Sequence, residues 1–164
     1  MSANPAIPGP AGAGPGVIRS VGRCFLSLLV SGGLWGAAWI YHTAREVGED
    51  GRGKEDTSPG LRVVGMFIPI VNWFVLYFSW RDIEKYCKQV GTSDFPLVLY
   101  FIGSFIPIVN IILYCVVQGK MNDAFRAGSG GQAQNAPMYA IDWVTIVLGF
   151  VFIVAGVVIG VSAN

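Results

Sequence analysis

The chain is poor in charge, in histidine and in paired cysteine. Charged residues make up 13% of its 164 residues, about half the share of an ordinary soluble domain. The single histidine, His42, excludes a multi-histidine metal centre. The three cysteines, Cys24, Cys87 and Cys115, are too far apart in sequence for a Cys-x-x-Cys metal or redox site. A formal net charge of +1 provides no basic field for nucleic acid, which is left out of the expected partners. No nucleophile stands beside a base, so the sequence points to a protein that is not an enzyme, with no catalytic, cofactor-binding or metal-binding residue.

What is abundant is apolar sequence in long runs. They cover 24–41, 61–80, 95–117 and 141–161. Each is long enough to cross a hydrocarbon layer of about 30 Å as a helix. None alternates apolar with polar residues as a barrel strand would. No charge occupies the middle of a run; Arg62 and Asp142 lie near run ends. The expectation is an all-α, polytopic membrane protein of about four transmembrane helices. Its partner is the lipid bilayer, and its place is the cell membrane, crossed several times. Trp35, Trp39 and Tyr41 close the first run, as aromatic rings do at a bilayer surface. A cleaved signal peptide is the rival reading of that run; a long Pro/Gly lead and the aromatic end argue against it.

Four segments follow: a disordered Pro/Gly-rich tail over 1–20, a membrane domain over 21–126, a linker over 127–137 and a last transmembrane helix over 138–164. The second and third runs are related copies, GMFIPIVN and GSFIPIVN. Gly65 matches Gly103, Pro69 matches Pro107, and Asn72 matches Asn110. A proline inside a helix frees the carbonyl four residues earlier, and here that residue is glycine. A kink is predicted near Pro69 and another near Pro107. Asn72 and Asn110, one turn on, are the polar groups expected to pair across helices. If each copy crosses once, the two spans run in inverted orientation, as in many transporters.

Short polar segments with an apolar face follow the runs. Ile83, Tyr86, Cys87 and Val90 mark one, and Met121, Ala124 and Phe125 a weaker one. Both read as interfacial helices. Cys87, just outside a run, is a candidate for juxtamembrane palmitoylation. Gly32 and Gly36 in the first run, and Gly149, Gly156 and Gly160 in the last, are small residues that allow close helix packing. They serve packing within the chain, or else a homo-oligomer or a larger membrane-protein partner. With four spans the Lys and Arg residues divide almost evenly between the two sides, so the positive-inside rule gives no orientation. Both termini are placed in the cytoplasm, because nothing marks the tail for export.

Two further patterns are set aside. Gly48, Gly53 and Lys54 nearly match a phosphate-binding loop, but Glu55 stands where Ser or Thr should be. Glu46, Glu49, Asp50, Glu55 and Asp56 lack the spacing of a calcium loop and read as a solvated segment.

Gly33, Trp35, Trp39 and Tyr41, followed by Arg45 and Glu46, together with the two I-P-I-V-N segments, carry a resemblance. From Val17 to Arg126 the chain resembles the bacterial and archaeal family called domain of unknown function 4234. The resemblance implies a small bacterial membrane protein with no established activity, and it brings no catalytic residues. The long tail and the final apolar run depart from it. The expected role is that of an accessory or scaffold protein of the cytoplasmic membrane; the alternative is a small-solute transporter or channel built on inverted repeats.

Overall fold

The computed structural model describes residues 17–49, 58–92 and 94–163. The near phosphate-binding loop, most of the acidic cluster and the tail up to residue 16 lie outside these residues. Among these described residues seven helices run in chain order: α1 Val21–Val30, α2 Trp35–Glu49, α3 Pro59–Met66, α4 Pro69–Gln89, α5 Leu97–Gly103, α6 Pro107–Gly128 and α7 Ala140–Ser162. The described residues are all-α apart from two short strands, β1 Val17–Ile18 and β2 Gln134–Asn135, which pair in parallel. That pair draws the end of the tail and the middle of the linker into the fold. Ala136 is buried, and its carbonyl accepts from Arg23 Nη2 at 2.9 Å.

The prolines act differently from the expected kinks. Pro69 and Pro107 are the first residues of α4 and α6, where a missing N–H costs nothing. The residues before them, Ile68 (φ −102°, ψ 114°) and Ile106 (φ −101°, ψ 113°), are extended. A proline pushes its predecessor out of the helical region in this way. The helix therefore ends, and the chain turns back. A Cβ at Gly65 would lie 2.7 Å from Val75 Cγ2, and one at Gly103 would lie 2.9 Å from Leu113 Cδ1. In a continuing helix, residues ten apart would be about 15 Å apart. Arg62 of α3 reaches Asp82 of α4, Nη2 to Oδ2 at 2.5 Å. Thus α3 with α4, and α5 with α6, are antiparallel helical hairpins, and the copied glycines are where the two arms touch.

α1 and α2 form a third hairpin without proline. Its turn is made by Gly32 (φ +59°) and Gly33 (φ +91°), conformations that a side chain would strain. The Gly33 N–H closes it on the Leu28 carbonyl at 2.7 Å, and Ser31 Oγ caps the Trp35 N–H at 2.9 Å. At the open end Arg19 pairs with Glu46.

All three hairpins point the same way. Gly36 lies against Tyr114, Trp39 against Tyr114 and Gln118, and Thr43 against Met121, so α2 and α6 run in parallel. Trp80 meets Trp39 and Tyr114, and Tyr86 meets Phe125, which places α4 parallel to both. The two copies are therefore parallel hairpins; the inverted pair of spans is not formed. Between the long arms Trp39, Trp80 and Tyr114 meet edge to face, with ring centroids 5.7, 5.0 and 5.6 Å apart. Trp35 and Trp39, expected at a bilayer surface, are fully buried. The expected interfacial helices are instead the continuing halves of α4 and α6. Their apolar faces, with Ile83, Tyr86, Met121 and Phe125, are buried in the protein's own core.

α7 runs antiparallel to α2. Asp142 lies by Trp35 and His42, Gly149 against Ser31, and Ile153 against Gly32. Residues 154–162 continue about 13 Å past the tip of the first hairpin. Among the described residues α7 is the one helix long and apolar enough to cross a membrane, with mean hydropathy 2.9. Four such helices were expected; the first three runs fold back on themselves, so no arm within them keeps both the length and the apolarity.

Candidate functional site

The molecule has two chemically distinct ends. At the tip end the side chains Leu29, Phe67, Ile70, Phe105, Ile106 and Ile108 are all exposed, with Ile70 and Ile108 about three-quarters so (74% and 75%). Every residue of α7 from Phe150 to Ser162 is exposed as well. Scattered apolar residues on a surface need no explanation, but a continuous apolar end does. The base end holds the charge. The described Lys and Arg residues (19, 23, 45, 62, 81, 85, 88, 120 and 126) lie along the open ends of the hairpins, Arg62 by reaching back toward Asp82. No charged residue follows Asp142 in the sequence.

Three polar clusters lock the base. Arg19 donates from Nη1 to Glu46 Oε2 at 2.7 Å. Burial disfavours its charge, but the Glu46 carboxylate outweighs this and holds its pKa up. Asn122 accepts from the Arg19 N–H at 3.0 Å and donates to the Arg19 carbonyl at 2.7 Å. It also accepts from Gln118 Nε2 at 2.8 Å, while Gln118 Oε1 accepts from Trp39 Nε1 at 2.6 Å. This chain of bonds runs from β1 into the aromatic centre. The second cluster joins Arg62, Ser79 and Asp82. The third fixes α7: Asp142 Oδ1 accepts from Trp35 Nε1 at 2.9 Å and lies 3.2 Å from His42 Nε2, and Oδ2 accepts from the Tyr139 N–H at 2.8 Å. His42, the single histidine, is buried, and the Tyr139 ring lies over it at 5.0 Å. Sequence reasoning missed these clusters. The signal was there: Arg62 and Asp142 each interrupt an apolar run close to its end, where an unpaired charge would be costly.

The predicted site residues divide. Gly65 and Gly103 are contact points, as described. Asn72 and Asn110 do not pair across helices; each leaves a buried Oδ1 without a hydrogen-bond partner among the described residues. Gly36 packs within the chain against Tyr114 and Leu28, and Gly32 serves the turn. Gly149 lets α7 pack directly on the Ser31 backbone, since a Cβ there would run into the Ser31 carbonyl and lie 2.7 Å from Ser31 Cα. Among the described residues a Cβ added at Gly156 or Gly160 would meet nothing within 4 Å, in contrast to Gly149. Cys87 is 1% exposed, and burial pushes its thiol pKa up, which opposes acylation. Among the described residues no group of three or more His, Cys, Asp and Glu is placed to hold a metal ion.

What the described residues offer is a base closed by hydrogen bonds and ion pairs and an uncovered apolar end. No protein-family model, curated protein or solved structure matches the chain.

Proposed function

We propose that the chain is an accessory or scaffold protein of the cytoplasmic membrane, held by α7 as one crossing and by three hairpins that dip into one leaflet. The observation that carries this reading is the segregation of exposed apolar tips at one end from the Lys and Arg residues at the other. The depths support it. From Asp142 to Val161 α7 spans about 28 Å, close to a hydrocarbon layer of about 30 Å. The hairpin tip level with Gly149 to Ile153 falls about halfway. The turns carry backbone groups bonded within the chain, as at Gly33 to Leu28 and Ile68 to Gly65, which helps them tolerate apolar surroundings.

The orientation follows from the same segregation. The positive-inside rule, undecided for four spans, supports a base in the cytoplasm and the C-terminal end of α7 on the opposite side. This replaces the expectation that both termini face the cytoplasm. Membership of the domain of unknown function 4234 family belongs to this proposal and rests on the quoted motifs alone. The transporter alternative drew on inverted copies, and parallel hairpins withdraw that support.

Reporter fusions test the topology. Fusions between α4 and α5, between α6 and α7, and after α7 should report inside, inside and outside. Alternation between the first two positions would restore four spans and refute the hairpins in the membrane. Gentle purification through a tag tests the role. A stoichiometric membrane partner or a defined homo-oligomer is expected, and a monomer with no companion would overturn the scaffold reading.

A further inference from the structure

We infer that the protein acts as a one-leaflet wedge, recognising a bilayer by its curvature and favouring membrane that is convex toward the hairpin base. This rests on the membrane reading above. The three hairpin turns lie at one end: the Ser31–Leu34 turn is level with Gly149 to Ile153 of α7, Gly36 just beyond it packs on Tyr114 of the third hairpin, and Trp73 of the second hairpin stacks on Phe105 in the third turn, so six helical arms enter from one side only. Only α7 continues into the other leaflet. With a helix about 10 Å across, each arm occupies roughly 80 Å² in the membrane plane, and the six add roughly 500 Å² to one leaflet alone. From Asp142 to Ile153 the rise is about 16 Å, about half of a hydrocarbon layer of about 30 Å.

The inserted body cannot easily be squeezed thinner. Trp39, Trp80 and Tyr114 fill the space between the long arms, and Gly65 and Gly103 bring the arms of two hairpins into direct contact. A close-packed interior of this kind resists compression. The lipid must adjust instead. A bilayer with area added to one leaflet relaxes by curving, convex on the enlarged side, which is why elements lodged in one leaflet are sensitive to curvature. The partner is thus a lipid surface selected by shape. No headgroup chemistry is needed, because the exposed tip residues Phe67, Ile70, Phe105 and Ile108 are all hydrocarbon.

The test uses the full chain with a C-terminal tag, reconstituted into phosphatidylcholine vesicles about 30 nm and about 200 nm across. Molecules with the base outward keep the tag inside, protected from added protease. The protected share should be higher in the small vesicles, because their outer leaflet is the expanded one. An equal or lower share in the small vesicles, with the protein floating with both sets, would overturn the wedge and leave the membrane reading standing. Failure to float with either set would overturn the membrane reading and the wedge with it.

Discussion

Replacing Gly65 by Ala, alone and together with Val75→Ala, separates a reversed chain from a kinked one. In the hairpin a Cβ at Gly65 would sit 2.7 Å from Val75 Cγ2 and 3.1 Å from Val71 Cγ1. Comfortable carbon contacts are about 3.5–4.0 Å, so the arms must part or Val75 must move. Overpacking of this kind costs about 1–3 kcal/mol. Alanine also improves on glycine within a helix by about 0.5–1 kcal/mol, which partly offsets the cost. Val75→Ala removes the methyl that clashes, at about 1–2 kcal/mol of lost burial. In that background the added Cβ should fill space, and Gly65→Ala should become neutral or stabilising. The two changes should therefore be coupled by about 2 kcal/mol, although ten positions separate them. Reversible unfolding of the four proteins in one detergent, followed by Trp fluorescence, gives the coupling directly. Additivity within about 0.5 kcal/mol would refute the reversal, because a helix running on through Pro69 keeps the two sites about 15 Å apart. The same cycle at Gly103 and Leu113 should give the same sign, since the contact there is 2.9 Å.

Three other outcomes are expected. Asp82→Ala leaves Arg62 buried and unpaired and should cost about 3–5 kcal/mol in chemical unfolding, while the double change Arg62→Met with Asp82→Leu should cost much less; equal losses would mean that the pair is not the cause. Gly149→Leu forces a side chain into the Ser31 backbone and should lower stability by more than about 2 kcal/mol, whereas Gly156→Leu should stay within about 0.5 kcal/mol; similar unfolding midpoints for the two would contradict the docking of α7 on the first hairpin. Cys87, with its raised thiol pKa, should react with iodoacetamide at pH 7.5 roughly tenfold or more slowly than a cysteine placed at the neighbouring exposed Lys88, and comparable rates would show that it is not buried.

Much of the fold could be read from the residues. The all-helical class followed from apolar runs without alternation, and the last run is the helix that composition alone identified. The copied Gly-Pro-Asn segments were visible as well. What misled was length. A run of about 20 residues fits a single crossing and a there-and-back excursion equally well. The deciding detail was local: in Ile-Pro the isoleucine is pushed toward an extended conformation, so a helix end deserved more weight than a bend. A second detail was the even division of cations under four spans, which disappears in the proposed topology, where each run returns to the side it left. Trp35, Trp39 and His42 could not be placed from sequence, because a buried aromatic and an interfacial one share the same flanks. Their partners Gln118, Tyr114 and Asp142 stand more than 70 residues away.

The returning hairpin also changes what duplication can do to this chain. A unit that crosses the bilayer once turns everything after it upside down when it is copied, so its loops and charges must be rebuilt for the other side. A unit that comes back to the side it left has even parity. The segments ending in Gln89 and Gly128 could have arisen by tandem copying with every later residue, including α7, keeping its facing. Loss of one unit would be equally silent for the orientation of the remainder. Under the proposed membrane topology, length variation is therefore expected in whole hairpins, with the α7 crossing fixed.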